Sequence, residues 1–168
     1  MSPRIVLVGP SGAGKTTVGA LLARRLGLVF RDSDLDVEAT TGMPIIDIFV
    51  EHGEGRFREL ERAAVAAALA EHDGVLAVGG GAVLDAETRQ RLGGHHVVFL
   101  DVGITDAARR IGFNRDRPLL LGNPRKRWVT LMQARRPFYE EVAEATVRTD
   151  GVEPAEVVDR IVEALETS

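Results

Sequence analysis

A chain of 168 residues, 45% hydrophobic and 27% charged, is long enough for one compact domain with a sizeable core. It has no cysteine, which excludes a disulfide framework and thiol-based metal or redox chemistry, and no apolar run approaches a membrane span. A net charge of −4 argues against non-specific binding to nucleic acid or membrane, and without a signal-peptide pattern a cytoplasmic protein is expected.

The first predicted strand, Arg4–Val8, runs into Gly9-Pro10-Ser11-Gly12-Ala13-Gly14-Lys15-Thr16-Thr17. A helix is predicted over Lys15–Leu26, with Val18, Leu21, Leu22 and Leu26 on one face and Gly27 as its C-terminal cap. Gly9 to Thr16 fits G-x-x-x-x-G-K-[ST], the phosphate-cradling loop, in the strand–loop–helix setting that motif requires. Its glycines turn backbone N–H groups inward around an anion, and the helix adds its positive dipole end. Lys15 then reaches the β- and γ-phosphates, and the Thr16 hydroxyl can ligate Mg²⁺. This is a nucleoside-triphosphate site.

A short second strand, Leu28–Arg31, ends in Asp32-Ser33-Asp34. Carboxylates there face the cleft, where one can orient metal-bound water and the other accept the proton of an attacking hydroxyl. Asp and Ser also cap helices, so we expect both acids to point inward and one of them to cap as well. Short helical pieces interrupt the alternation from Asp32 to about Glu61, overlapping the start of a predicted helix over Arg56–Ala70 that Gly74 would cap. Phe49 and Phe57 could wall a small ring while Arg58 binds an anion bidentately.

The third strand, Val75–Val78, runs into Gly79-Gly80-Gly81, a backbone against which a ligand can press, and no acid follows it. A helix over Asp85–Leu92 leads to the fourth strand, His96–Leu100, with Asp101 read as a helix cap or turn residue. After a helix over Thr105–Ile111, the segment Gly112–Asn123 is rich in Gly, Pro, Arg and Asn, and reads as a mobile lid whose Arg117 swings onto the transferring phosphoryl group. Asn123 and Pro124 supply an N-cap and an N1 proline for a helix over Arg125–Tyr139, with Arg135 and Arg136 near its end. A fifth strand, Ala145–Arg148, and a helix over Pro154–Thr167 complete a doubly wound α/β layer with a mainly parallel sheet. His52, His72, His95 and His96 lack metal-ligand spacing and read as surface residues.

Taken together, Gly9–Thr16, Asp32-Ser33-Asp34, Gly53-Glu54-x-x-Phe57-Arg58, Gly79-Gly80-Gly81, Arg117-Pro118-Leu119-Leu120 and Arg135-x-Pro137-x-Tyr139 resemble the shikimate kinase family over nearly the whole chain. The phosphate loop alone is widely shared, whereas the other five motifs in this order are specific. The resemblance implies ATP-dependent phosphorylation of the 3-hydroxyl of shikimate, a step toward chorismate and the aromatic amino acids. It implies a single P-loop domain over 1–168 of nucleoside monophosphate kinase type, three layers deep, with a five-stranded parallel sheet in the order 2-3-1-4-5 and helices on both faces. The substrate-binding segment would span about Ser33–Glu61 and the lid about Gly112–Asn123.

By motif match, Gly12, Ala13, Gly14, Lys15, Thr16 and Thr17 would bind the nucleotide, with Arg110 and Pro154 on either side of adenine. Thr16 and, through water, Asp32 would hold Mg²⁺. Lys15, Asp34 and Arg117 would be catalytic, with Arg117 also binding ATP as a bridge to the transfer site. Asp34, Arg58, Arg135 and the triplet Gly79, Gly80 and Gly81 would bind shikimate. The Arg-x-Pro-x-Tyr spacing selects Arg135, with Arg136 as the alternative, and Trp128 has no assigned role. A monomer is expected. A kinase for gluconate or a nucleoside monophosphate, and an ATP-binding switch without turnover, are the other readings weighed.

Overall fold

The computed structural model describes residues 3–112 and 123–167. Among them five strands form one parallel sheet in the order β2-β3-β1-β4-β5: β1 Ile5–Val8, β2 Phe30–Asp32, β3 Val75–Ala77, β4 Val97–Asp101 and β5 Ala145–Arg148. Every residue of β1, β3 and β4 is buried, as unbroken apolar runs require when helices cover both faces of a sheet. The edge strands β2 and β5 are partly open.

The connecting helices are α1 Lys15–Leu26, α2 Ser33–Thr41, α3 Ile45–Glu71, α4 Ala86–Leu92, α5 Ile104–Ile111, α6 Pro124–Val142 and α7 Pro154–Glu166, with a 3-10 turn at Ala82–Leu84. Right-handed crossovers put α1, which leads back to the edge strand β2, on one face, where it packs against α7. The later crossovers run the other way along the sheet, and α3, α4 and α6 pack together on the opposite face. Parallel pairing then sets the carboxyl ends of β1, β2 and β3 side by side: Leu7 pairs with Ala77, and Asp32 with Ala77. The phosphate loop, the Asp32–Asp34 turn and the Gly79–Gly81 triplet leave the sheet at one edge.

Several local expectations change. α3 begins at Ile45 and runs to Glu71, broken once at Gly53, whose φ of 83° is a left-handed value that favours glycine. His72, not Gly74, follows its last turn. Gly74 is needed for closeness, since a Cβ there would lie 2.0 Å from the Val29 carbonyl oxygen. His72 is half-buried, with Nε2 3.0 Å from that same carbonyl, so it is not a plain surface residue. Asp101 is the last residue of β4 and is buried, because Arg136 meets its carboxylate at 3.0 and 2.8 Å and Arg148 at 3.3 Å. The predicted lid lies outside the described residues except for Gly112 and Asn123, the latter the N-cap of α6 with its side chain accepting from Lys126 N–H at 3.2 Å.

Packing divides unevenly. The main core unites the sheet with α1, α3, α4, α6 and α7. A small second cluster, Val37, Ile48 and Phe57, sits between α2 and α3 with Phe49 against it. The segment carrying Asp34 and Arg58 therefore has a core of its own.

Candidate active site

A cleft of about 1130 Å³ opens at the carboxyl ends of β1, β2 and β3. At one end lies the phosphate loop. Lys15 folds back over it, with Nζ donating to the carbonyls of Gly9 at 2.7 Å and Pro10 at 3.2 Å. Gly12, Ala13, Gly14, Thr16 and Thr17 line the same end. Arg110, from α5, donates to the Gly12 carbonyl at 3.0 Å and to the Thr149 carbonyl at 2.7 Å, pinning the loop to the turn before α7. Pro154, the first residue of α7, completes that wall.

Asp32 divides its carboxylate. Oδ1 accepts from the Asp34 backbone N–H at 2.9 Å and so caps α2, while Oδ2 accepts from the Thr16 hydroxyl at 3.2 Å. One aspartate therefore both caps and reaches inward, as expected. A hydroxyl and a carboxylate oxygen so placed beside a phosphate loop suit Mg²⁺, a hard cation that binds through one or two protein oxygens plus water and phosphate. Among the described residues no cluster of three or more His, Cys, Asp or Glu forms a separate metal cage.

The other end is built by side chains converging on the glycine triplet. A Cβ on Gly79 would fall 2.6 Å from Glu61 Oε2 and 2.8 Å from Asp34 Oδ1; on Gly81, 2.5 Å from Arg58 Nη1. On Gly80 it would lie 3.4 Å from both Arg135 Nη1 and the Gly9 carbonyl. At Gly79 and Gly81 the bare backbone lets two acids and Arg58 approach more closely than a Cβ would allow without their moving. Gly80 is also where the two ends of the cleft meet.

Arg58 pairs with Glu61 at 2.7 Å and lies over the Phe57 ring at 5.2 Å, and Phe57 in turn packs on Phe49 with centroids 4.8 Å apart. Burial pushes the Glu61 carboxyl up from its ordinary value, against the opposing pull of Arg58 and Arg135. Arg135 is buried and lines the cleft, and its Nε has no hydrogen-bond partner among the described residues. The adjacent Arg136 points elsewhere, held by Asp101, whose hydrogen bonds raise its pKa further. Burial likewise pushes the Tyr139 phenol to about 12, and its O–H donates to the Gly80 carbonyl at 2.5 Å.

Of the residues expected from sequence, Lys15, Thr16, Asp32, Asp34, Arg58, the glycine triplet, Arg110, Arg135 and Pro154 all line this cleft. Arg117 lies outside the described residues. Sequence reading missed Glu61, which its spacing of three from Arg58 could have flagged as an ion-pair partner. It also left Trp128 unexplained, although the indole N–H donates to the Ser11 carbonyl at 2.9 Å.

A family model described as Shikimate kinase matches residues 11–166. The chain is 60% identical to the shikimate kinase of Frankia casuarinae, over 96% of this chain and 72% of that one. It is 57% identical to the shikimate kinase of Streptomyces avermitilis, over 98% and 96%. Among solved structures, the shikimate kinase of Acinetobacter baumannii in complex with shikimate matches with a TM-score of 0.95 and 37% identity, covering 99% of this chain and 94% of that one. A gluconokinase from Sinorhizobium meliloti, at 20% identity and a TM-score of 0.61, shares the fold.

Proposed function

The chain belongs to the shikimate kinase family, and we propose that it transfers the γ-phosphoryl group of ATP to the 3-hydroxyl of shikimate, giving shikimate 3-phosphate for aromatic amino-acid biosynthesis. The observation that carries the reading is Gly80, whose surroundings join the Gly9 carbonyl of the phosphate loop to the Arg135 guanidinium. A carboxylate held by Arg58 and Arg135 would leave the rest of a small ring between Phe49, Phe57 and the triplet, with a hydroxyl toward Asp34 and the loop. We take a monomer as the working unit. Among the described residues no helix is long and apolar enough to cross a membrane.

In this reading Asp34 orients the attacking hydroxyl and accepts its proton. Lys15 leaves the Gly9 and Pro10 carbonyls to take the β- and γ-phosphate oxygens, a short move along its own loop. Arg117, assigned from its motif alone, adds positive charge to the group in transfer. Thr16 and Asp32 would hold Mg²⁺, which supplies neutralisation of phosphoryl-oxygen charge. Arg58 and Arg135 fix the acceptor so that its hydroxyl competes with water for the phosphoryl group. Glu61 keeps Arg58 extended along the triplet. The test is ADP release with shikimate, with gluconate, with a nucleoside monophosphate and with no acceptor. Shikimate alone should support rapid turnover, and equal rates without it would overturn the reading.

A further inference from the structure

One face of α6 carries both ends of the cleft. Its buried residues, Trp128, Met132, Arg135 and Tyr139, are spaced by four, three and four, the repeat of a single helical stripe. At the start of the stripe, Trp128 is 5% exposed and its Nε1 donates at 2.9 Å to the carbonyl of Ser11, inside the phosphate loop. Two turns on, Arg135 faces Gly80, and one turn further Tyr139 donates to the Gly80 carbonyl at 2.5 Å. The helix is pinned from its other side by the two hydrogen bonds from Arg136 to Asp101. A phosphate loop works through the aim of its backbone N–H groups, and the Ser11 carbonyl belongs to the peptide unit whose N–H is that of Gly12. Holding that carbonyl therefore holds the aim of the following N–H.

We propose that Trp128 is a positioning residue for ATP: its indole N–H fixes the Ser11–Gly12 peptide plane and so keeps the loop shaped for phosphate before nucleotide arrives. The inference rests on the reading of the cleft as an ATP site. It separates two jobs along one helix, nucleotide affinity at Trp128 and acceptor binding at Arg135. The contact also explains why a large aromatic with a polar edge stands here, since a buried indole N–H needs an acceptor and no other side chain of that size offers one donor alone.

The test uses the full-length protein with two replacements. Trp128→Phe keeps an aromatic ring and removes the donor; 3-benzothienylalanine at 128 keeps the bicyclic shape and exchanges the N–H for sulfur. Both should raise KM for ATP and the calorimetric Kd for ADP by about threefold to tenfold, the worth of one neutral hydrogen bond. KM for shikimate should stay within twofold of the unmodified protein. Unchanged ADP affinity in both replacements overturns the proposal. So does a loss in the phenylalanine variant that the benzothienyl residue restores, which would assign the effect to packing. ADP affinity is read without turnover, so an unmodified protein that binds ADP yet ignores shikimate would count against the functional reading and leave this inference standing or falling on its own numbers.

Discussion

At the nucleotide end of the cleft the lining of the phosphate loop is one run, Gly9 to Thr17, on a strand and helix of the main core, with Arg110 and Pro154 added from α5 and α7. At the shikimate end the lining groups are side chains from α2, α3 and α6, brought together over a backbone with no side chains of its own. Asp34 and Arg58 are carried by α2 and α3, which enclose the small cluster of Val37, Ile48 and Phe57, with the break at Gly53 falling between Ile48 and Phe57. The first site is held rigid by local geometry, which suits a ligand common to many enzymes. The second depends on ion pairing among Arg58, Glu61 and the groups around them, and specificity for one acceptor resides there. Substitutions at the first should act on chemistry with the fold intact. Those at the second should move binding and stability together.

The largest effect belongs to Lys15. Lys15→Met should lower kcat/KM by two to three orders of magnitude, or about 3–4 kcal/mol of transition-state stabilisation, as loss of one preorganised donor does. The melting temperature should move far less than activity, since two of its hydrogen bonds are to carbonyls of its own loop. ADP release and a thermal scan check both halves. A variant that unfolds early would show that the nucleotide end is not the robust one.

Arg58→Ala comes next and should fail in two ways. Losing a charge-assisted contact to the acceptor carboxylate should raise KM for shikimate by roughly 10- to 100-fold, from about 1.5–3 kcal/mol, with kcat changed less. It also strips the 2.7 Å partner from a buried Glu61, costing about 1–3 kcal/mol of stability. The sign with pH follows from Glu61. Burial raises its folded pKa, so between the ordinary glutamate value and that raised value the folded protein holds a proton that the unfolded chain has lost. Stability therefore falls as pH rises through this window, and more steeply in Arg58→Ala, where the opposing pull of the guanidinium is gone. Arg58→Ala with Glu61→Gln should recover the stability but not the KM, which denaturant titration and initial rates would distinguish.

How much of this could be read from sequence follows the same division. The sheet order came with the family resemblance, and the alternating elements were visible because buried parallel strands are unbroken apolar runs. The phosphate loop and the glycine triplet were visible because each is contiguous. Asp101 was misread because its partner Arg136 is 35 positions away, and nothing local marks an apolar run ending in a buried acid. Trp128 went unexplained because its acceptor lies 117 positions away. Gly74 failed for a related reason: the Val29 backbone that forbids a side chain there comes from the neighbouring strand's approach. The Arg135–Arg136 ambiguity was likewise beyond local spacing. Trp128, Met132 and Tyr139 define a helical stripe that both arginines border, and it is the burial of Arg135 and the pairing of Arg136 with Asp101 that separate them.

That pair gives a finer cut. Arg135→Gln should raise KM for shikimate at least tenfold and also cost some stability, since its guanidinium offsets the charge of the buried Glu61 carboxyl. Arg136→Gln should leave KM within a few-fold and cost about 1–2 kcal/mol of stability, because Asp101 loses two hydrogen bonds and, among the described residues, keeps Arg148. Reversed outcomes would place the acceptor on the other side of α6.

The smallest effect should come where the two regions are stitched at the surface. Asp85 follows the 3-10 turn after the triplet and caps α4, accepting from the Thr88 N–H at 2.8 Å and from the Thr88 hydroxyl at 3.1 Å. It also takes Arg62 Nε of α3 at 2.9 Å. Partial burial works against its charge, but the contacts from Thr88 and Arg62 prevail and hold its carboxyl below the ordinary aspartate value. A lowered pKa means stability that is fully present above the unfolded value, about pH 4, and lost as pH falls through the folded one. Asp85→Asn keeps an acceptor for the cap and removes the charge, so near pH 7 it should cost only about 0.5–1 kcal/mol, and that difference should shrink toward zero in acid. Urea midpoints from pH 7 down to about 2.5 would trace it. Because Asp85 touches α3 one turn beyond Arg58, its removal also asks whether the ion-paired end depends on the sheet for its position. An unchanged KM for shikimate would mean that the small cluster under Phe57 holds Arg58 by itself.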